Sequence, residues 1–499
     1  MGEKVIVIGG GIGGLATGLR LLKNGYDVKI IEKECRVGGK VNLLKEKNFK
    51  FDLTASILMI IEPYKELIEY IDKDFSMFFN VKSINPIYRV FSYENKYYDF
   101  NNELYKLMNT LEDFSQKDSY GYIKFLGDTY KHYIAANNYF LCKSQINKFK
   151  ILKPKNIKVI ESLKTSNCSY HYIKKFIDNN ILTEFLAFQS MYVGISPFDG
   201  PSIYTLIPMI SQLHGLWHIE GGMYRYVEVL EKFILELGGE IECGKNVEKI
   251  HIEDNKVVGV ITNKGLEKCD LVVCNSDFSY TIEKLLSENN SQLKIGKYTM
   301  KKIQYTCSTF IMYLALNKKY DILKVHNIYL NKNFKDNTQK IFIGELPIDP
   351  SIYIYCPSKI DNTINKNGEE ILNIIVRVPN LCKNSVEWNE NTIILLKEKI
   401  LSILLSIDGL QDLKEHIIYE NYLTPKDLES KFNCFNGCAF GISPTLSQTN
   451  WFRPQCKIEK LKNLYFVGDS IHPGAGVAMV LKSSKIVTDE ILKDFKNIN

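Results

Sequence analysis

The spacing of apolar residues changes character twice near the start of the chain. Lys4 to Ile8 (KVIVI) is a continuous β-branched run, the pattern of a strand covered on both faces. From Leu15 to Leu22 the apolar positions take up helical spacing, and Asp27 to Ile31 (DVKII) returns to a strand. Phe49-Lys50-Phe51-Asp52-Leu53 predicts another short strand, residues 64 to 75 an amphipathic helix, and Ile84 to Phe100 a hairpin turning at Glu94-Asn95. Asn102 to about Phe188 is mostly helical and rich in Tyr, Phe and Lys, a long insertion suited to a lid or cap. Residues 203 to 211 are apolar with few charges, and Gly215 to Met223 passes from strand to turn ahead of a helix reaching about Leu237. Glu240 to Cys274 divides into short strands with a turn at Asp254-Asn255. Residues 300 to 430 mix strands and helices, and Asn463 to Val467 forms a last strand before a helix ending near Phe495. Helices alternate with strands at both ends, so the fold class is α/β.

The first change of period is filled by glycine. Gly9-Gly10-Gly11-Ile12-Gly13-Gly14 joins strand to helix, and Glu32 closes the second strand 18 residues after Gly14. Gly9 permits a sharp turn, Gly11 close approach of the backbone to a pyrophosphate, and Gly14 tight packing of helix on strand. The helix N-terminus then offers free N–H groups and a favourable dipole to the phosphates, while Glu32 accepts from the ribose hydroxyls of an adenosine. A second glycine pair with a cation, Arg36-Val37-Gly38-Gly39-Lys40, favours FAD over a nicotinamide cofactor, with Gly39 and Lys40 closing over the pyrophosphate. The matching signal lies at the far end, where the strand runs into Gly468-Asp469 and then His472-Pro473-Gly474-Ala475-Gly476-Val477. Asp469 suits a ribityl or phosphate contact, and Gly476 and Val477 bring a helix N-terminus to the flavin. Val247 joins this set as a further cofactor contact.

Composition adds exclusions. Hydrophobic residues make up 45% of the 499 and charged residues 24%, as in a globular chain too long for one core. The net charge of +6 is spread over 63 basic and 57 acidic residues without a like-charge block, so nucleic acid is not expected as a partner. Twelve cysteines show neither zinc nor redox spacing, as in a cytosolic protein with reduced thiols. No stretch approaches the ~20 apolar residues of a spanning helix, and the chain opens straight into its first strand, so neither a signal peptide nor more than peripheral membrane contact is expected.

Beyond these motifs the chain resembles the bacterial carotenoid desaturases of the phytoene desaturase group, and within them the diapophytoene (dehydrosqualene) desaturases that act on C30 carotenoids. The matching stretches span nearly the whole chain. Among them are Val5 to Gly39, Leu163 to Asn167, Leu186-Ala187-Phe188-Gln189, Tyr192 to Pro197, Gly200 to Tyr204, Gly221-Gly222-Met223-Tyr224, His326-Asn327-Ile328, Asp349 to Tyr353, Phe452-Arg453-Pro454 and His472 to Val477. The resemblance implies a Rossmann-like FAD-binding domain of the glutathione-reductase/amine-oxidase type, interleaved with an α+β substrate domain. The expected division is 1–75, 211–290 and 436–499 for FAD, and 76–210 and 291–435 for the substrate. Departures are Thr54-Ala55-Ser56 where relatives carry Gly-Pro-Thr, Ala478 where they carry Pro, and Lys164 and Asn167 where some carry an Asp/Arg pair.

The implied reaction is desaturation of an apolar isoprenoid, with hydride passing from an allylic carbon to flavin N5 and the neighbouring proton lost. Delocalisation of the resulting cation leaves the protein little to supply beyond positioning and a weak base. His472 is the candidate for receiving that proton; capping the last helix or bonding the flavin are its alternatives. Arg453 is expected in a structural ion pair, and His218 with Glu220 in a wall position. Ile57 to Ile61 and residues 203 to 210 are candidates for a tunnel wall, with core packing as the alternative. Oxygen or a quinone is the expected electron acceptor, and the inner face of the cell membrane the expected location. Rival readings on the same architecture are a polyene isomerase or saturase, an amine oxidase, and a non-enzymatic prenyl-binding protein.

Overall fold

A computed structural model describes residues 2–46, 48–146, 167–287, 302–365, 368–383 and 386–496, with Lys153, Asn156, Ile157 and Leu163 as isolated positions. Lys164 to Ser166 of the resemblance, and most of the stretch 147–166 within the expected helical insertion, lie outside the described residues.

The KVIVI run forms the strand Lys4–Ile8, the centre of a five-stranded sheet in the order Leu464–Phe466, Leu271–Cys274, Lys4–Ile8, Asp27–Ile31, Glu240–Glu242. Every pairing in it is parallel. Val5, Ile6 and Val7 are fully buried, because helices cover both faces of such a sheet. Helix Ile12–Lys23 packs against the C-terminal helix Val477–Lys496, so the two ends of the chain meet beside the glycine turn. Residues Val247–Glu253, Lys256–Thr262 and Gly265–Lys268 form a three-stranded antiparallel meander, turning through left-handed Asp254 and Asn255.

A seven-stranded sheet forms the other half, in the order Ile417–Leu423, Ser308–Leu316, Glu370–Val378, Ile352–Tyr355, His326–Tyr329, Tyr88–Phe91, Tyr97–Phe100. Its two long central strands are apolar at nearly every position, yet the strand period of two sorts them cleanly. Phe310, Met312 and Leu314 face one core with Leu396, Ile400 and Leu404 of helix Glu390–Ser406. Ile311, Tyr313, Ala315 and Ile375 face the opposite core, which helices Gln116–Ala136, Asn180–Phe188 and Leu206–Leu213 help to build.

The expected helix over 64 to 75 is shorter, Glu62–Tyr70, because the chain enters a left-handed turn at Asp72. Residues 203 to 210 are helical throughout, first as a tight turn and then as Leu206–Leu213. All twelve cysteines are unbridged. No described helix is long and apolar enough to cross a membrane.

Candidate cofactor and substrate cavity

One cavity of about 740 Å³ runs between the two sheets, with glycines and charged groups at one end and an apolar wall at the other. Its polar end is shaped mainly by backbone. Gly9 adopts φ +92°, turning the chain out of the first strand. A Cβ on Gly14 would strike the carbonyl of Gly9, and one on Gly11 would stand 2.8 Å from Asn275 Nδ2. Gly11 caps helix Ile12–Lys23 without a side-chain hydrogen bond, and no acidic residue occupies the first turn. That helix end is left open to a phosphate. Gly39, at φ +56°, closes against Gly11, with 3.2 Å between its would-be Cβ and the Gly11 Cα.

Glu32 is 6% exposed, and its carboxylate is aimed by two backbone donors, Gly10 N at 2.7 Å and Glu34 N at 2.9 Å. Burial raises its pKa. Two of about four acceptor positions remain for a ribose. Lys40 pairs with Asp469 and donates to the Ala439 carbonyl at 3.1 Å. The pair holds Lys40 charged, its pKa raised despite burial. Val247, Gly468, Gly476 and Val477 complete the polar end, Gly468 and Gly476 with φ of +132° and +101°. The structure therefore brings Gly9, Gly11, Glu32, Gly39, Lys40, Val247, Gly468, Asp469, Gly476 and Val477 to one cavity, with Gly14 packed directly behind. Close backbone, an open helix end, a buried ribose-height carboxylate and a lysine suit FAD.

Other residues of this end escaped the sequence reading. Asn275 wedges among the glycines, its amide donating to the Gly9 carbonyl at 3.3 Å. Asp277 caps the next turn by accepting from Ser279 N and Tyr280 N, and burial with the nearby Asp469 pushes it up to about 6. Both follow directly on Leu271–Cys274, where attention to the end of that strand would have found them. Lys245, paired with Glu242 and Glu267, lines the cavity beside Val247.

Three expectations change. His472 is 2% exposed and absent from the cavity wall; its Nε2–H is shared between the carbonyls of Phe140 and Lys143, each at 3.1 Å. Burial lowers its pKa to about 4, so the ring ties a loop to the helical insertion rather than handling a proton. Arg453 makes no ion pair among the described residues. Its guanidinium binds the carbonyls of Ile471, Ile442 and Asp469 at 3.0, 3.1 and 2.6 Å, gathering the loops around the polar end. His218 stands behind the wall, its Nε2 2.8 Å from Asp361 and its Nδ1 3.3 Å from the Tyr355 hydroxyl. Asp361 is held well below the ordinary carboxylate range by His218 and Thr363, although burial opposes the shift.

The wall itself carries Ile57, Met59 and Ile60, then Ile203, Leu206, Ile207 and Ile210, whereas Leu58 and Ile61 turn into the core. Thr54, Ala55 and Ser56 line it too, with Thr54 Oγ1 donating to the Lys40 carbonyl at 2.8 Å. Leu446 and Phe452, 47% and 53% exposed, line the cavity where it meets the surface. A long apolar slot that begins at a dinucleotide cradle is equipped to lay a hydrocarbon against a redox ring and exclude water.

Comparison with known proteins agrees with this geometry. The chain is 34% identical over 498 residues to a 4,4'-diapophytoene desaturase (4,4'-diaponeurosporene-forming) of Staphylococcus aureus, covering 99% of each. It is 33% identical over 497 residues to the same enzyme of Staphylococcus haemolyticus, again with 99% coverage of each. Among solved structures, an oxidoreductase from Methanosarcina mazei superposes with a TM-score of 0.64 over 97% of this chain and 100% of that one, at 18% identity. A putrescine oxidase with bound putrescine gives 0.62 over 99% of both, at 11% identity, a likeness of fold alone. Residues 12–289 match the family described as flavin containing amine oxidoreductase, and with these relatives the chain belongs to that family.

Proposed function

We propose that the protein is an FAD-dependent desaturase that introduces C=C bonds into a long isoprenoid hydrocarbon of the C30 diapophytoene kind. The observation that carries this reading is the continuity of the FAD cradle with an apolar slot walled by Ile57, Met59, Ile203 and Ile207. Bound FAD supplies the acceptor for a hydride, and the neighbouring carbon gives up a proton. The chain's part is to align an allylic carbon with the ring, keep water out and let the polyene carry the positive charge. Ala439 and Ala475, both small and cavity-lining, leave room for a flat polyene.

The exposed lip at Leu446 and Phe452 suits an enzyme that draws its substrate from the inner face of the cell membrane without spanning it. Oxygen or a quinone then takes the electrons onward.

Coexpression with a C30 carotenoid synthase in a carotenoid-free bacterial host tests the reading through pigment spectra and mass. Coloured polyenes, each two hydrogens lighter than the last, are expected. A coloured product of unchanged mass would replace desaturation with isomerisation. Unaltered diapophytoene beside an FAD-loaded protein would overturn the C30 assignment.

A further inference from the structure

A hydrocarbon needs no cation, yet the apolar part of the cavity contains one. Arg377 lies on the central strand Glu370–Val378, directly across from Thr309, and shares the cavity-facing side with Ile375. Lys40 is paired with Asp469 and Arg453 is satisfied by three carbonyls, but Arg377 has neither an ion pair nor a hydrogen bond among the described residues. The ring of Phe440 lies against it, 5.0 Å from the guanidinium carbon to the ring centroid.

Tyr192 and Tyr353 flank the same position, with ring centroids 5.9 Å apart, and both line the cavity. Tyr353 hydrogen-bonds His326 Nδ1 at 2.7 Å. The hydroxyls of Tyr192 and Tyr88 are buried against one another. A guanidinium with five donors and no ion pair is a costly arrangement for a wall that only packs against hydrocarbon. The same arrangement is well suited to an oxygen acceptor. A guanidinium presents a planar fork that matches a carboxylate in two bonds or a carbonyl in one, and the aromatic ring beneath holds it flat.

We propose that Arg377 forms an oxygen-binding subsite that takes the carbonyl or carboxylate oxygen of a long apolar ligand. This rests on the reading of the cavity as an isoprenoid site and adds that a ligand with an oxygenated end enters it. The oxygen has two possible sources, the oxidised terminus of a polyene or the ring carbonyl of an isoprenoid quinone that accepts electrons.

The test is equilibrium binding to the FAD-loaded protein, without turnover, so that its result stands apart from the coexpression outcome. The probes are retinoate for the polyene terminus, a short-tailed 1,4-benzoquinone for the acceptor, and squalene as the oxygen-free reference. Arg377→Met is expected to weaken an oxygenated probe about tenfold or more while squalene moves less than about twofold. Arg377→Lys, which keeps charge but not the fork, falls between. Tyr192→Phe, which removes a hydroxyl turned to Tyr88, is expected to move the same probe less than about twofold. A loss confined to retinoate assigns the subsite to an oxidised polyene, a loss confined to the quinone assigns it to the acceptor, and loss of both establishes the shared chemistry. Equal loss of squalene would reduce Arg377 to packing and overturn the proposal. A shifted flavin midpoint potential with oxygenated-probe affinities intact would overturn it too, by assigning Arg377 to the cofactor. If Arg377→Met fails to retain flavin, Arg377→Lys decides the matter.

Discussion

The two ends of the cavity are made in different ways. At the FAD end the surface is largely backbone, placed by glycines that turn the chain or let segments approach, and by one helix terminus. At the apolar end it is mainly side chains, drawn from strands such as Ser308–Leu316, Ile352–Tyr355 and Glu370–Val378, from the loop that carries Ile57 and Met59, and from separate helices. A backbone surface tolerates almost no substitution where a Cβ would intrude. A side-chain surface can be resized one residue at a time. Cofactor binding is thus expected to fail abruptly on mutation, and substrate selection to shift gradually.

Gly13→Val is the most damaging test of that difference. A Cβ there would overlap Asn275 Oδ1 and stand 3.0 Å from Val480 and 3.1 Å from Val467, two neighbours fixed by their own packing. Overpacking of this kind costs about 3 kcal/mol, and the variant is expected to purify with little or no flavin by its visible absorbance. A variant retaining full FAD content would break the distinction between the two ends.

A smaller loss is expected behind the apolar wall. Asp361→Asn removes the charge facing His218 while keeping the shape, and should destabilise the fold by about 2 kcal/mol in denaturant unfolding. The sign with pH follows from the direction of the shift. Asp361 titrates lower in the folded chain than in the unfolded one, so its contribution is complete above the ordinary Asp value of about 4 and is lost as pH falls below it. The gap between wild type and variant should therefore close on acidification below pH ~4. A gap that widens there would show that the pair is not the source.

The same contrast explains what was legible in the sequence. Gly9, Gly11, Glu32, Gly39 and Lys40 announce themselves because a phosphate cradle needs particular residues at fixed local spacing. Asn275 was overlooked although it wedges among those glycines, since its role depends on a strand more than 260 residues away. Arg377 was harder still. It sits in EILNIIVRV, a run that reads as buried strand, and its neighbours Thr309, Tyr353 and Phe440 come from three other parts of the chain. His472 misled for the opposite reason. Its motif borders the cofactor, but the ring turns away to the carbonyls of Phe140 and Lys143.

Ile207→Trp sharpens the gradual side of the comparison. Ile207 is a half-buried wall residue on helix Leu206–Leu213, and a larger ring there fills part of the slot without touching the glycine cradle. Flavin content is expected to hold, with kcat/KM for a C30 substrate falling about tenfold and a shorter polyene losing less. Equal losses for both lengths would mean that Ile207 does not bound the slot along its length.

The slightest effect on the protein itself is expected at the lip. Phe452 is 53% exposed and Leu446 47%, so polar replacements leave the core intact, and stability should stay within about 0.5 kcal/mol. Their apolar area is available only to something outside the chain. Phe452→Ser with Leu446→Ser is therefore expected to lower partitioning onto lipid vesicles severalfold, about 1 kcal/mol, with FAD content unchanged. Turnover of substrate presented in vesicles should fall with it, whereas substrate presented in detergent should be processed nearly as before. That split would locate the effect at delivery rather than at chemistry. Equal loss in both media would move these two side chains from the entrance into the catalytic slot, and the boundary between membrane surface and cavity would have to be drawn further out.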